Sequence, residues 1–191
     1  MTTFQVHRLD ASRRGEFFRA HCAARGTGHC YCVAWHVPTW EGWGERTEAE
    51  NRRLREELFE RGVRDGYLLY ESGEPVGWCQ ATARDGLPKL AAQFLLVPDP
   101  GAFAIACFAI QPRARGRGAA RALLAAVLAD LPARGAHRVE AFPKRGVTEP
   151  GELWNGPESL FRTAGFKVVR DDPRRPVLAL DLARKPGRAQ P

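Results

Sequence analysis

The 191-residue sequence predicts an α/β (α+β) chain, and three features carry that prediction. Residues 103–131, FAIACFAIQPRARGRGAARALLAAVLADL, run from an apolar segment through a basic, glycine-containing turn into an amphipathic helix. A strand pattern at His137–Phe142 follows, and a strand–helix–strand crossover makes the two strands parallel. Hairpin patterns around Glu71-Ser-Gly-Glu74 and Asp171-Asp-Pro-Arg-Arg175 add further strands.

Each element has its own signal. Phe4–Leu9 alternates weakly and suggests a first strand. Residues 11–22 read as a helix with Phe17, Phe18 and His21 or Cys22 on one side. An irregular stretch, Gly26 to Gly44, holds His29-Cys-Tyr-Cys-Val-Ala-Trp-His36 and is unusually rich in aromatics, with Trp40 and Trp43 beyond it. Thr47-x-x-Glu50 is a capping box, and it opens a charged helix to about Arg61. Leu54 and Leu58 mark that helix's inner face, and its charges are expected to form a solvated surface. Tyr67–Tyr70 and Pro75–Gln80 form the first hairpin. Residues 84–102 carry three prolines, with Phe94–Val97 expected as a short edge strand or a helical turn. Phe103–Ile110 has the length and composition of a buried strand, and Pro112 stops it. Ala120, Leu123, Leu124, Val127, Leu128 and Leu131 then line one helix face. After the strand at 137–142 comes a loop at 144–156. Pro157 suits the first turn of a helix and Gly165 its C-cap. Phe166–Val169 and Val177–Leu182 close the chain.

The composition narrows the function classes. The hydrophobic fraction is 44% and the charged fraction 27%, values of a soluble globular protein. No apolar stretch reaches the roughly 18–20 residues of a membrane span, and MTTFQVHRLD lacks a signal-peptide core. A cytoplasmic location and no membrane partner are expected. Net charge is +7, carried mainly by arginine, with lysine at positions 89, 144, 167 and 185. The arginines are scattered and there is no aromatic-basic platform, which disfavours nucleic acid. Five cysteines, an odd number without a signal, argue for reduced thiols.

The turn after the central strand has the makings of an anion site. N–H groups at the helix N-terminus point outward, and the helix dipole favours negative charge. Gly116 and Gly118 admit close backbone approach, while Arg113, Arg115, Arg117 and Arg121 add positive charge. A P-loop needs Lys-Ser/Thr where Ala119-Ala120 stands. The dinucleotide fingerprint lacks its third glycine, although Glu140 lies at a fitting distance, so that reading is weakened but stands. Arg115-Gly-Arg-Gly118-Ala-Ala120 fits Arg/Gln-x-x-Gly-x-Gly/Ala without a mismatch. It resembles the pyrophosphate-binding segment of the GNAT N-acetyltransferase superfamily, whose strand exit Ile110-x-Pro112 is similar too. Cys30-x-Cys32-x-x-Trp35, Asn51-Arg52, Pro75-Val-Gly-Trp78, Val139-Glu-Ala-Phe-Pro143 and Gly165-Phe166 are similar to a bacterial subgroup of unassigned substrate. Phe142 stands where that subgroup has Tyr.

The resemblance implies a single GNAT-like domain at 1–183, followed by a disordered tail at 184–191. It implies a mixed, mostly antiparallel sheet of six to seven strands with a splayed parallel central pair. The gap would admit the pantetheine arm of acetyl-coenzyme A. Ala109, Ile110, Arg115, Gly116, Arg117, Gly118, Ala119 and Ala120 would bind this cosubstrate. The implied reaction is attack of an amine, from a small molecule or a peptide, on the thioester. It needs positioning and an oxyanion donor, expected from N–H groups near Ala109-Ile110.

The family's usual acid, a tyrosine in the last helix, is replaced by Phe161. Tyr31, Cys32 or water could substitute, and a thiol pKa of about 8.5 makes the thiolate a tolerable leaving group. Glu140 is the first candidate base, with structural pairing to an arginine as the competing reading, and His36 is second. Cys32, Trp35, Trp78 and Trp154 are candidate acceptor-wall residues, and Asn155-Gly156 would set the loop covering them. The His21-Cys22…His29-Cys30-x-Cys32…His36 cluster invites zinc, but a lone Cys-x-Cys is weak, and no metal is expected. The alternative to an enzyme is a coenzyme A-binding sensing or regulatory module, which Phe161 favours. A homodimer is left open.

Overall fold

The computed structural model describes residues 3–24, 30–149 and 152–182. The expected tail at 184–191 and the Gly26–His29 part of the irregular stretch lie outside the described residues. The strands are β1 (Phe4–Arg8), β2 (Gly66–Glu71), β3 (Glu74–Ala83), β4 (Ala102–Ile110), β5 (Arg138–Ala141), β6 (Lys167–Arg170) and β7 (Val177–Asp181). They form one seven-stranded sheet in the order β1-β2-β3-β4-β5-β7-β6. Neighbours pair antiparallel except β4 and β5, which run parallel. The helices are α1 (Arg14–Ala24), α2 (Glu48–Glu60), α3 (Pro88–Gln93), α4 (Ala119–Asp130) and α5 (Glu158–Thr163). No helix of the described residues is long and apolar enough to cross a membrane.

Side chains alternate across the strands, so the sheet feeds a core on each face. Tyr67 and Leu69 of β2 join Leu123, Leu124 and Val127 of α4 and Phe161 of α5. Leu68, Tyr70, Trp78, Cys107 and Ala109 join Phe17 and Phe18 of α1 and Phe59 of α2. Burial on both faces explains why β2 and β4 read as continuous apolar runs rather than alternating ones. On α4, Ala119 takes the innermost place that the pattern assigned to Ala120, which is half-buried.

The structure sharpens one expectation and corrects another. Phe94–Val97 is not an edge strand: Phe94 and Leu95 close the last turn of α3, with the Phe94 N–H donating to the Leu90 carbonyl at 3.0 Å. Pro88 starts α3 at 88–93, and Phe94 buries its ring against Phe142, with centroids 4.6 Å apart. The correction concerns α2. Its capping box forms as expected, but the charged helix is not simply a solvated surface. Arg55 is fully buried, and Leu54 is only half-buried.

Arg55 makes a two-pronged pair with buried Asp65, at 3.1 and 2.6 Å. Its guanidinium also lies over Phe17 and Phe59, 4.4 and 4.5 Å from their centroids. Asp65 accepts further bonds from Gln80 Nε2 at 2.6 Å and pairs with His36 Nε2 at 3.0 Å. Burial pushes the Asp65 carboxyl up, but Arg55 and His36 together reverse this and hold it well below the usual carboxylate range.

A carboxyl whose folded pKa is depressed contributes stability that is complete above its unfolded pKa of about 3.9 and lost as pH falls through the folded value. Asp65→Asn should therefore cost about 3–5 kcal/mol in urea unfolding, because it strands a buried guanidinium. The loss should persist throughout the neutral range, and an unfolding midpoint unchanged there would contradict the pairing.

Candidate active site

The parallel pairing of β4 with β5 is short. It runs from Ala102 opposite Arg138 to Ile105 opposite Ala141 and then stops. β4 continues to Ile110 without β5 beside it. A bulge lies where the strands part. Gln80 pairs with Cys107 and Ala81 with Ile105, leaving Ala106 as the extra residue. The displaced Ala106 carbonyl accepts from Trp35 Nε1 at 3.3 Å and Asn155 Nδ2 at 3.4 Å. Two residues on, the Phe108 N–H donates to the Trp154 carbonyl at 2.6 Å, so the loop after β5 has replaced β5 as the partner of β4.

Alternation along β4 assigns its donors. Gln111 N–H donates to Val76 O on the β3 side, and Ala109 stands opposite Trp78 of β3. Phe108 and Ile110 therefore direct their N–H groups to the parted side. Of the two residues expected to offer an oxyanion donor, Ile110 faces the gap and Ala109 faces β3. Phe108, not anticipated from sequence, is the other residue whose N–H faces the gap.

Beyond Ile110 the chain turns through Pro112–Ala114 into the loop preceding α4. A pocket of about 540 Å³ opens there, between this loop and α5. Ile110, Arg115, Gly116, Gly118, Ala119 and Ala120 line it, six of the eight residues expected to bind the cosubstrate. Gly116 and Gly118 have φ of +71° and +83°. An added Cβ would meet nothing at either position, so the requirement for glycine is conformational. No side chain caps the first turn of α4, which leaves its N–H groups available to the pocket. Arg121 also lines it, as do Ser159, Leu160 and Thr163 of α5. Arg115 Nε donates to Ile110 O at 2.9 Å, tying the loop to the strand end. Arg117 is turned away: it pairs with Glu71 at 2.6 Å. Arg113 binds Gln111 Oε1 at 3.0 Å.

A profile of the acetyltransferase (GNAT) family matches residues 30–149. The chain belongs to that family. No curated protein sequence matches it. Its fold is similar to an N-acetyltransferase from Staphylococcus aureus Mu50, at 15% identity and a TM-score of 0.56, covering 95% of this chain and 99% of that one. The YncA protein of Salmonella typhimurium, solved with its cofactor acetyl-CoA, is 14% identical with a TM-score of 0.55, over 96% of each chain. The PaiA N-acetyltransferase of Thermoplasma acidophilum, solved with coenzyme A, is 12% identical with a TM-score of 0.57, over 94% and 99%.

In this GNAT acetyltransferase the expected catalytic carboxylate is engaged elsewhere. Glu140 is buried, with Oε2 2.8 Å from Arg84 and Oε1 3.1 Å from Arg138. Arg84 also donates to the Val97 carbonyl. Two guanidiniums occupy both carboxylate oxygens. The competing reading, structural pairing with arginine, is the one this geometry supports. Arg84 carried no signal in the sequence, because one arginine among many reveals no partner.

The acceptor-wall candidates separate into two groups. Trp35 and Trp154 sit together at the parting, with ring centroids 6.1 Å apart. Trp35 is buried and Trp154 half-exposed. Trp78 and Cys32 lie inside the core under α1, where an acceptor would not touch them. The aromatic density between 35 and 43 has a local cause. Lys89 Nζ lies 3.5 Å from the centroid of Trp40 and 5.4 Å from that of Trp43. Burial, with Arg46 nearby, pushes the Lys89 ammonium down to about 8.

Phe161 is fully buried against Phe166 and Phe108. Gly156, at φ +80°, crosses the ring edge so closely that a Cβ there would lie 2.9 Å from Phe161 Cζ. The suggested substitutes are also enclosed. Tyr31 is buried and donates its hydroxyl to Glu48 at 2.6 Å. Burial pushes the Cys32 thiol well up, with the Cys107 and Cys30 thiols adding to the shift.

Glu140→Gln should lower stability by about 3–5 kcal/mol through the stranded Arg84. Turnover per folded molecule should stay within a small factor, with the acidic limb of the pH–rate profile unmoved. A loss of about 10²–10⁴-fold in kcat at unchanged fold would instead make it the base.

Proposed function

We propose that this acetyltransferase moves an acetyl group from acetyl-coenzyme A to a primary amine of a small molecule or peptide, within a single domain at 1–183. The observation that carries the proposal is the continuity of the pocket with the parted strands. The pocket behind Arg115–Ala120 lies at the end of β4, and the β4 edge from Ala106 to Ile110 leads from it to Trp35 and Trp154. In this reading the pyrophosphate sits against the α4 N-terminus and Arg115 and Arg121, where dipole, N–H groups and charge act together. The pantetheine arm follows β4. The Phe108 N–H, now held by the Trp154 carbonyl, is the donor for the thioester oxygen. The 152–156 loop gives way as the thioester enters.

The protein's part is mainly positioning and oxyanion stabilisation. With Phe161, Tyr31 and Cys32 enclosed, the departing sulfur leaves as thiolate or takes its proton from water. Trp35 and Trp154 shape the acceptor end. A second reading, a coenzyme A-binding sensor with lost catalysis, draws on the Phe161 observation.

Coenzyme A at 100 times its Kd should raise unfolding stability by about 2.7 kcal/mol. No thermal shift with millimolar-range coenzyme A would end both readings. Arg115→Ala should weaken coenzyme A by about tenfold, as loss of a charged hydrogen bond does, and by more than Arg121→Ala. Equal losses would mean that bulk charge alone matters. Release of thiol from acetyl-coenzyme A with any member of an amine panel supports the enzyme, whereas binding without turnover supports the sensor.

A further inference from the structure

We propose that His21, Cys30 and Cys32 form a binding site for one zinc ion, on the α1 side of β4 and apart from the coenzyme A pocket. The sequence argued against a metal because Cys-x-Cys is too short a spacing to persuade. The fold supplies what the spacing lacks. His21 comes from α1, so the third ligand reaches the pair from another element. Their ligand atoms all lie within 4.8 Å of one another. His21 Nε2 is 3.2 Å from Cys32 Sγ, close to the roughly 3.5 Å expected for a nitrogen and a sulfur on one tetrahedral zinc with bonds of about 2.1 and 2.3 Å. Two thiols and an imidazole, with no carboxylate, are the donor set that favours zinc over harder ions.

Cys32 Sγ has close neighbours besides His21. Trp78 Nε1 donates to it at 3.1 Å, and Cys107 Sγ lies 2.9 Å away. The sulfur is thus held in place by an indole N–H and a second sulfur, contacts it would keep on binding an ion. The Trp78 bond is of the outer kind that orients a metal ligand. Tyr31 and Cys32 both have positive φ, 43° and 50°. Left-handed backbone at two consecutive non-glycine residues costs about 1–2 kcal/mol each and persists where the surroundings over-determine it. A bound ion would take the cysteines as thiolates. Such an ion would tie α1 and the Cys30–Cys32 turn together beside Cys107 of β4, next to the Phe108 donor.

The test is metal content and ligand spectroscopy on the full chain, purified tag-free from zinc-supplemented medium. We expect about one zinc per chain by elemental analysis, a count set by the three clustered ligands. Cobalt(II) added to the metal-free chain should give sulfur-to-cobalt charge-transfer absorption and tetrahedral ligand-field bands. Cys30→Ser, at the half-buried member of the set, should cut affinity at least about tenfold, as loss of a ligand or of its support does, and reduce the charge-transfer band. Cys79→Ser, a buried thiol outside the set, should leave both unchanged. Absence of zinc together with a featureless cobalt spectrum overturns the proposal. So does a Cys32–Cys107 disulfide found by peptide mapping of the chain as purified. An unaltered cobalt spectrum in Cys30→Ser overturns it as well, even if Cys32→Ser fails to fold.

Discussion

The structure depends on a pairing that stops. β4 and β5 share four registered positions and then separate, and nearly every functional feature follows from that interruption. A strand edge within a buried sheet has backbone groups that need partners. Here the partners come from elsewhere: the Trp154 carbonyl for Phe108, and Trp35 and Asn155 for Ala106. The bulge at Ala106 turns a carbonyl out of the ladder where the separation starts. A gap bounded by backbone donors and two indoles results, and at its far end lies a loop whose glycines leave the helix N–H groups facing a pocket.

The loop that lines the pocket was legible because its pattern is local in sequence. Arg115 to Ala120 is one turn, and the glycine, helix-start and charge signals are read within six residues. Strand β4, helix α4 and both hairpins were legible for the same reason, since each announces itself by its own periodicity or turn. Which N–H groups of β4 face the gap is a matter of parity. Ala109 and Ile110 sit on opposite edges of one strand, and without the register against β3 the sequence does not say which edge faces the gap.

What was not legible is mostly charge that pairs at long range. Arg55 lies on a helix whose other charges face water, and nothing in the helix distinguishes it. Its burial is decided by Asp65, ten residues on, and by the aromatic faces of α1. Glu140 was rightly singled out as a carboxylate that needs a reason to be mid-strand. The reason is Arg84, 56 residues away in sequence, and chemistry that looked like a proton acceptor is ion pairing. The cysteines make the same point in reverse. Their spacing argues weakly for a shared site, but α1 brings a histidine that the spacing could not promise.

The seating of Trp154 has an optical consequence. Its backbone carbonyl holds the Phe108 N–H while its indole lies 6.1 Å from that of Trp35. A ligand group that claims this donor must displace a segment carrying one of two neighbouring indoles. Occupancy of a backbone hydrogen bond, ordinarily silent to optical methods, is thereby coupled to the environment of a fluorophore. The chain carries its own emission probe at the point where the two strands part.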